Sequence, residues 1–449
     1  MNEDQLLQEA DRRARDYVSG ADARRVFPTD QDIAALAGFD EALPEQGHPA
    51  ADTIALMDDL GSPGTVASNG PNYFGFVIGA SLPVAAAAER LAIAWDQCAS
   101  TEDGSPAAYA IEKQASKWLL EILDLPRSSA VAFGTSATAC GLSCLAAARA
   151  DLLARQGWDV VNDGLCGAPE VKVVVPASTH VTVRKALQVL GFGWNRVIKA
   201  PVDDKGRIIP DQLPEMDANT LLVLQAGEVN TGEFDDFSTI IPRAKAAGAW
   251  VHVDGAFGLW ARAAPELWHL TSGVEQADSW TTDGHKWLNT PYDGAMAICR
   301  EPQALARVMN SDAAYSTASA EAQKNLTLEF SRRARGIPIW AALRSLGREG
   351  VAELVHRHHK QARRIVAALD EAGFEVLNRV VLNQVLVRGQ DDAATQAILA
   401  QVQNSGTSWF GGTVWQDRPA FRISLSSFRT EERHVDQLMN LLVQIGAKG

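Results

Sequence analysis

Cysteine is scarce: the 449-residue chain holds five, at Cys98, Cys140, Cys144, Cys166 and Cys299. The number is odd and no Cys-x-x-Cys pair occurs. That argues against a disulfide framework and a cysteine metal site, so no metal is expected, and it favours a reducing, cytoplasmic setting. Positive charge is outweighed, with 41 Lys and Arg against 55 Asp and Glu and a formal net charge of -14. Neither nucleic acid nor an anionic membrane surface suits such a balance as the main partner. No uninterrupted apolar run reaches about 18 residues, so no transmembrane helix is expected. Residues 1–14 are rich in Asp, Glu and Arg and lack the apolar centre of a secretory signal. Internal repeats and low-complexity tracts are absent. What the chain does have is a hydrophobic fraction of 46%, enough for a large core and for more than one domain.

Organisation follows from periodicity. Residues 1–65 read as a helical arm closed by a Gly/Pro-rich connection at Gly61, Pro63 and Gly64. Ser105-Pro106 has the form of a helix start, a capping Ser before Pro at the first position. Ile111, Ala115, Trp118, Leu119 and Ile122 then fall on one helical face. Short β-branched runs at 171–175, 221–224, 250–253 and 295–298 alternate with helical stretches at 138–154, 181–190 and 238–247. This alternation predicts an α/β fold with a parallel sheet covered on both faces, in which ligands bind beyond the carboxyl ends of the strands. After Pro338 a long helical stretch leads to strands near 383–387 and 421–425. A last helix follows with Val435, Leu438, Leu442 and Ile445 on one face. Residues 66–309 therefore read as a large domain and 310–449 as a smaller α+β domain.

The strand Trp250-Val251-His252-Val253 ends in Asp254-Gly255-Ala256. A carboxylate at the end of a buried strand faces the ligand crevice and needs a cationic partner. The protonated ring nitrogen of pyridoxal 5′-phosphate (PLP) is such a partner, and a positive ring is an electron sink. Alone, Val-Asp-Gly more often starts a turn. Lys286 changes that reading. It stands in Asp283-Gly284-His285-Lys286-Trp287, thirty-two positions on, which is room for one helix and one strand. A lysine beside a cofactor can form an imine with its aldehyde, and His285 can donate to a phosphate oxygen. Upstream, Val131-Ala132-Phe133 runs into Gly134-Thr135-Ser136-Ala137-Thr138 and an Ala/Leu-rich helix. Small and hydroxyl residues at such a turn expose backbone N–H groups to an anion, although the same string fits an ordinary capped helix. Ser178-Thr179-His180 follows the strand at 171–175, and its imidazole can stack on the ring face or contact a substrate carboxylate. It also fits the first turn of a helix capped by Thr179.

These four elements, in this order, resemble the group II PLP-dependent amino-acid decarboxylases, the family of the glutamate, aromatic-L-amino-acid, histidine and tyrosine enzymes. The resemblance extends to Pro71–Phe76, to the Ser105–Pro126 stretch and to the Ala226–Phe234 loop, and covers residues 48–445. It implies PLP fold type I, like aspartate aminotransferase, with a mostly parallel central sheet and a smaller α+β C-terminal domain. It implies PLP as cofactor and a homodimer with active sites at the subunit interface. Ser136, Ala137, Thr138 and His285 would hold the phosphate. Thr231 and Asp283 would lie near the cofactor, and Asp254 would bind the pyridine nitrogen. Ala256 and His180 would pack on the two ring faces, and Lys286 would be the Schiff-base lysine. Tyr73, Phe74 and Arg422 would meet the substrate, Arg422 at a position where glutamate decarboxylases bind a carboxylate.

The implied activity is decarboxylation of an L-amino acid. Two departures from the family bear on it. The helix start reads Ser136-Ala137-Thr138-Ala139 where many members have Gly-Gly-Thr-Glu. The segment 316–335 holds no tyrosine, where animal members carry one thought to protonate the carbon that loses CO₂; only Tyr315 is near. A different outcome on the same cofactor thus stays open, either an aldehyde formed with oxygen or Cα–Cβ cleavage, as does a non-catalytic PLP-binding relative. The amino acid itself is not legible.

Overall fold

The structure, a computed structural model, describes residues 1–310 and 321–446. Its packing divides the chain into two compact units. These units do not coincide with the sequence blocks 1–65, 66–309 and 310–449. The larger is Ser81–Arg363 with Asn378–Gln384; the smaller is Met1–Ala80, Arg364–Leu377 and the residues from 385 onward.

In the larger unit, seven strands form one sheet: β1 (Ala130–Gly134), β2 (Lys172–Pro176), β3 (Ile198–Ala200), β4 (Thr220–Gln225), β5 (Trp250–Asp254), β6 (Ser279–Asp283) and β7 (Ala295–Cys299). Their order is β1-β7-β6-β5-β4-β2-β3. Strands β3, β2, β4, β5 and β6 pair in parallel. Every residue of β1, β4, β6 and β7 is buried, as expected of strands covered on both faces. The helix Ala137–Arg155 is part of that cover. It is long and apolar enough to cross a membrane by composition, yet 61% of its apolar window is buried here, in a core formed with Val173, Val175, Leu221 and Val223.

The one strand that runs against the rest is β7, antiparallel to both β1 and β6. A parallel neighbour of β6 would need a crossover of a dozen or more residues, usually helical. Residues 284–294 instead turn back directly. Consequently Gly134 and Asp283 both pair with Ala295, and Gln225, Asp254 and Thr281 line up on adjacent strands. The ends of β1, β4, β5 and β6 therefore open on one sheet edge.

The Ser105-Pro106 helix forms as Pro106–Ile122 and buries Ala115, Leu119 and Ile122. Its predicted cap does not: Ser105 makes no side-chain cap bond, and its hydroxyl is buried without a partner among the described residues. The long helix Gly336–Glu371 breaks its backbone at Gly347 (φ 62°), a left-handed conformation that glycine adopts at little cost.

In the smaller unit, β8 (Glu375–Val376), β9 (Gln384–Arg388), β10 (Gly411–Trp415) and β11 (Arg418–Ser424) form a sheet of order β10-β11-β9-β8. The helix Glu432–Gly446 buries Val435, Leu438, Leu442 and Ile445, the predicted face. The segment 72–74 is tied to this unit by backbone bonds: Phe74 N–H donates to Trp409 O (2.7 Å), Trp409 N–H to Asn72 O (3.2 Å) and Ser424 N–H to Phe74 O (2.8 Å).

Candidate active site

Asp283, the last residue of β6, is 2% exposed and joins three parts of the sheet edge. One carboxylate oxygen accepts the Ala137 N–H at 2.7 Å, at the start of the helix Ala137–Arg155. The other lies 3.2 Å from Lys286 Nζ. Its main chain is pinned as well: its N–H donates to Ala256 O (2.9 Å) and its carbonyl accepts from Trp260 Nε1 (3.0 Å). The tail of β5, the lysine segment and the helix N-terminus are thus fixed on one another. Lys286 keeps 22% of its side chain exposed, and its Nζ stands 5.9 Å from the centroid of the Phe257 ring.

Asp254 ends β5 beside Gln225 of β4. It is half-buried, and one carboxylate oxygen accepts the Ala256 N–H at 3.2 Å. Gly255 cannot be larger, because a Cβ there would come within 2.7 Å of Leu259 Cβ and 3.1 Å of Thr281 O.

At the helix start, Ser136 is the N-cap, accepting from Ala139 N–H at 3.4 Å, and Ser136, Ala137 and Thr138 are all partly exposed. The helix dipole favours an anion there, and the Asp283 carboxylate already takes the Ala137 N–H. His285 faces the same carboxylate, its Nε2 3.6 Å from Asp283 Oδ1. Its Nδ1 accepts the Gly294 N–H at 3.2 Å, which leaves Nε2 to carry the proton of the neutral ring. Burial pushes the His285 pKa below its ordinary value. A lysine able to form an imine, an acid at the neighbouring strand end and the positive end of a helix dipole are groups that suit PLP, so the residues fit that cofactor.

Other predicted residues are placed differently. His180 is itself the N-cap of the helix Val181–Val189, its Nδ1 accepting the Thr182 N–H at 3.3 Å. The cap assigned to Thr179 is not made: that hydroxyl donates backwards to Pro176 O (2.6 Å). Thr231 is fully buried within its own turn, its hydroxyl 2.9 Å from Lys205 O and 3.1 Å from Glu228 Oε2. Tyr73, Phe74 and Arg422 belong to the smaller unit. There Tyr73 stacks on Trp409 with ring centroids 5.0 Å apart. Arg422 lies on β11, an interior strand, where it pairs with Gly411 of β10. Tyr315 lies outside the described residues.

The sequence reading missed Tyr292, whose ring lies on His285 with centroids 4.2 Å apart and planes at 26°. Its signal was slight: an aromatic six residues after Lys286, inside a Pro-Tyr-Asp-Gly turn. Also missed was the buried pair of Glu112 and Arg332, bidentate at 2.7 and 3.0 Å.

Comparison with known proteins gives the family and the fold. The family model for the pyridoxal-dependent decarboxylase conserved domain matches residues 34–388. The chain is 26% identical to 4-hydroxyphenylacetaldehyde synthase of Rhodiola rosea, over 95% of its own length and 91% of that protein's. It is 26% identical to tryptophan decarboxylase 1 of Oryza sativa subsp. japonica, over 95% and 90%. The crystal structure of Oryza sativa TDC with PLP and tryptamine superposes with a TM-score of 0.92 at 24% identity, covering 100% of this chain and 99% of that one, a likeness of fold.

Proposed function

The chain belongs to the pyridoxal-dependent decarboxylase family, and on that premise we propose that its substrate is an aromatic L-amino acid and that Lys286 holds the cofactor. PLP is the cofactor, and removal of the α-carboxyl group of an amino acid is the reaction. The aromatic class is supported by relatives named as tryptophan and tyrosine decarboxylases, 24–29% identical over 74–95% of the chain.

The observation that carries the site assignment is the junction at Asp283, where one buried carboxylate touches both the Lys286 ammonium and the helix start. When bound, PLP supplies a sink for the electron pair left as CO₂ departs. Asp254 keeps the ring nitrogen protonated, and Ala256 leaves room for a ring to lie flat. Ser136, Ala137, Thr138 and His285 hold the phosphate. His180, just past the end of β2, would pack on the ring, and Thr231, in the 226–234 loop, would lie near the cofactor. Tyr73, Phe74 and Arg422 are the substrate-side candidates.

A homodimer is part of the same proposal. The helix Pro83–Trp95 buries only Ala85 and Glu89 and exposes Leu91, Ile93 and Trp95. In the smaller unit the helices Glu3–Ser19 and Ala50–Gly64 bury no residue. Apolar surface on this scale favours a second copy of the chain as its cover. A cytoplasmic setting is supported by five thiols, all unpaired.

A second reading concerns the product. A positioned acid speeds proton return by about 10² to 10⁴, and residues 316–335 offer no tyrosine for that role. Oxygen can then intervene, so that amino acid, O₂ and water give aldehyde, CO₂, ammonia and H₂O₂. The test is a panel of L-amino acids assayed together for CO₂, amine, aldehyde and peroxide, in air and under nitrogen. Release of CO₂ from aromatic substrates supports the proposal, and release only from acidic or aliphatic ones overturns it. Peroxide equal to aldehyde in air favours the second reading. Borohydride should fix the cofactor to the peptide containing Lys286; label on another lysine would remove Lys286 from its role.

A further inference from the structure

We infer that Tyr292 is a positioning residue for His285, holding that imidazole neutral and oriented at the phosphate end of the site; the inference rests on the cofactor reading above. The His285 ring is 5% exposed, whereas Tyr292 is 56% exposed and still lies against it. An aromatic residue that open to water would ordinarily sample many rotamers. Here the two residues that follow it are anchored. Asp293 accepts from Arg333 and from Arg335, each at 2.9 Å. Gly294 O accepts from both Gly284 N–H (2.9 Å) and His285 N–H (3.2 Å), while Gly294 N–H donates to His285 Nδ1. The chain from 285 to 294 therefore closes on itself with Tyr292 folded over the imidazole.

The arrangement fixes one tautomer. With Nδ1 occupied as an acceptor, the proton sits on Nε2. At 3.6 Å from Asp283 Oδ1, that N–H is beyond a good hydrogen bond and is available to an anion. Burial is the main cause of the lowered His285 pKa; Lys286 lowers it further, while Asp283 and Asp293 oppose both. Tyr292 contributes by covering one ring face with a group that stays uncharged.

The test measures Kd for PLP as a function of pH in the full-length protein, for wild type, Tyr292→Phe, Tyr292→Ala, His285→Gln and the His285→Gln/Tyr292→Ala double variant. Tyr292→Phe keeps the stack and should stay within about twofold of wild type. Tyr292→Ala loses an aromatic contact and should weaken binding by roughly 2- to 12-fold at neutral pH. It should also move the histidine-dependent step in the pH profile upward, because a rehydrated imidazole takes up a proton more readily. In the His285→Gln background the Tyr292→Ala effect should vanish. An equal loss in both backgrounds, or a pH step that does not move, overturns the inference while leaving the cofactor site intact. Wild-type protein that fails to bind PLP overturns both.

Discussion

Asp283 offers the most direct test of how the site is assembled, because one carboxylate serves two neighbours. Asp283→Ala removes the acceptor of Ala137 N–H and the counter-ion of Lys286 together. A hydrogen bond to a charged group contributes about 1.5–3 kcal/mol, and a buried N–H left without a partner costs about 1–3 kcal/mol, toward the low end here because Ala137 is partly exposed. These overlap rather than add, since losing the bond is what strands the donor. The Lys286 side chain is 22% exposed, so water takes up part of its lost pairing. The cofactor-free Asp283→Ala protein should therefore be less stable by about 2–4 kcal/mol. Asp283→Asn keeps an amide oxygen for Ala137 N–H and loses only the charge, so it should cost about half as much. The assay is urea unfolding of both variants beside wild type, comparing midpoints at unchanged slope. An Asp283→Ala protein within about 0.5 kcal/mol of wild type would refute the reasoning, since that is the range of an unremarkable surface change. A larger loss for Asn than for Ala would refute the assignment of the oxygen that faces Ala137.

Two further predictions concern buried charge and pH. Arg332→Met strands the Glu112 carboxylate, which is 1% exposed, and should cost about 3–5 kcal/mol, whereas Glu112→Met/Arg332→Met should recover most of that. Denaturant midpoints check both, and a harmless single substitution would show that the pair is not closed to water. His252 is 1% exposed, and burial pushes its pKa down to about 3. The unfolded chain, with a value of about 6.5, binds the proton first as the solution is acidified. The stability tied to His252 is thus complete above about pH 6.5 and is lost as pH falls toward about 3. His252→Gln should flatten the stability profile across that window; parallel curves for variant and wild type would assign the acid sensitivity elsewhere.

How much of this was legible in the sequence depended on repetition and on length. The runs at 221–224 and 295–298 are uniformly apolar and that at 250–253 is so but for His252, and each became a buried strand within a residue or two at either end. Strands β8 and β10 were missed for local reasons. Glu375–Val376 is two residues long, and Gly411-Gly412-Thr413-Val414-Trp415 opens on two glycines, which read as a loop. The direction of β7 was missed because strand type is read from composition, while direction depends on the length of the connection before it. Residues 284–294 are too few for a crossover, so the length of the connection itself carries the antiparallel signal. The Ser105 cap shows the opposite limit: position alone put Ser before Pro106 at a helix start, and burial then left its hydroxyl with nothing to bond.

The site separates along the same line. The placement of Asp254 and Lys286 at one sheet edge was legible because each sits at or just past the end of a strand that the sequence identifies, and strand ends on a parallel sheet converge. Tyr292 and the Asp293 contacts were not, because they depend on a turn whose path is set by distant arginines at 333 and 335. Asp283 lies between these cases. It was placed near the cofactor, but its bond to Ala137 links positions 146 residues apart, a relation visible only once β1, β7 and β6 are side by side. That adjacency follows from β7 running antiparallel, since Ala295 pairs with Gly134 on one flank and Asp283 on the other. The short return through 284–294 thus does two things at once. It carries His285 and Lys286 to the sheet edge, and by seating β7 between β1 and β6 it brings the helix N-terminus to the carboxylate that holds the lysine.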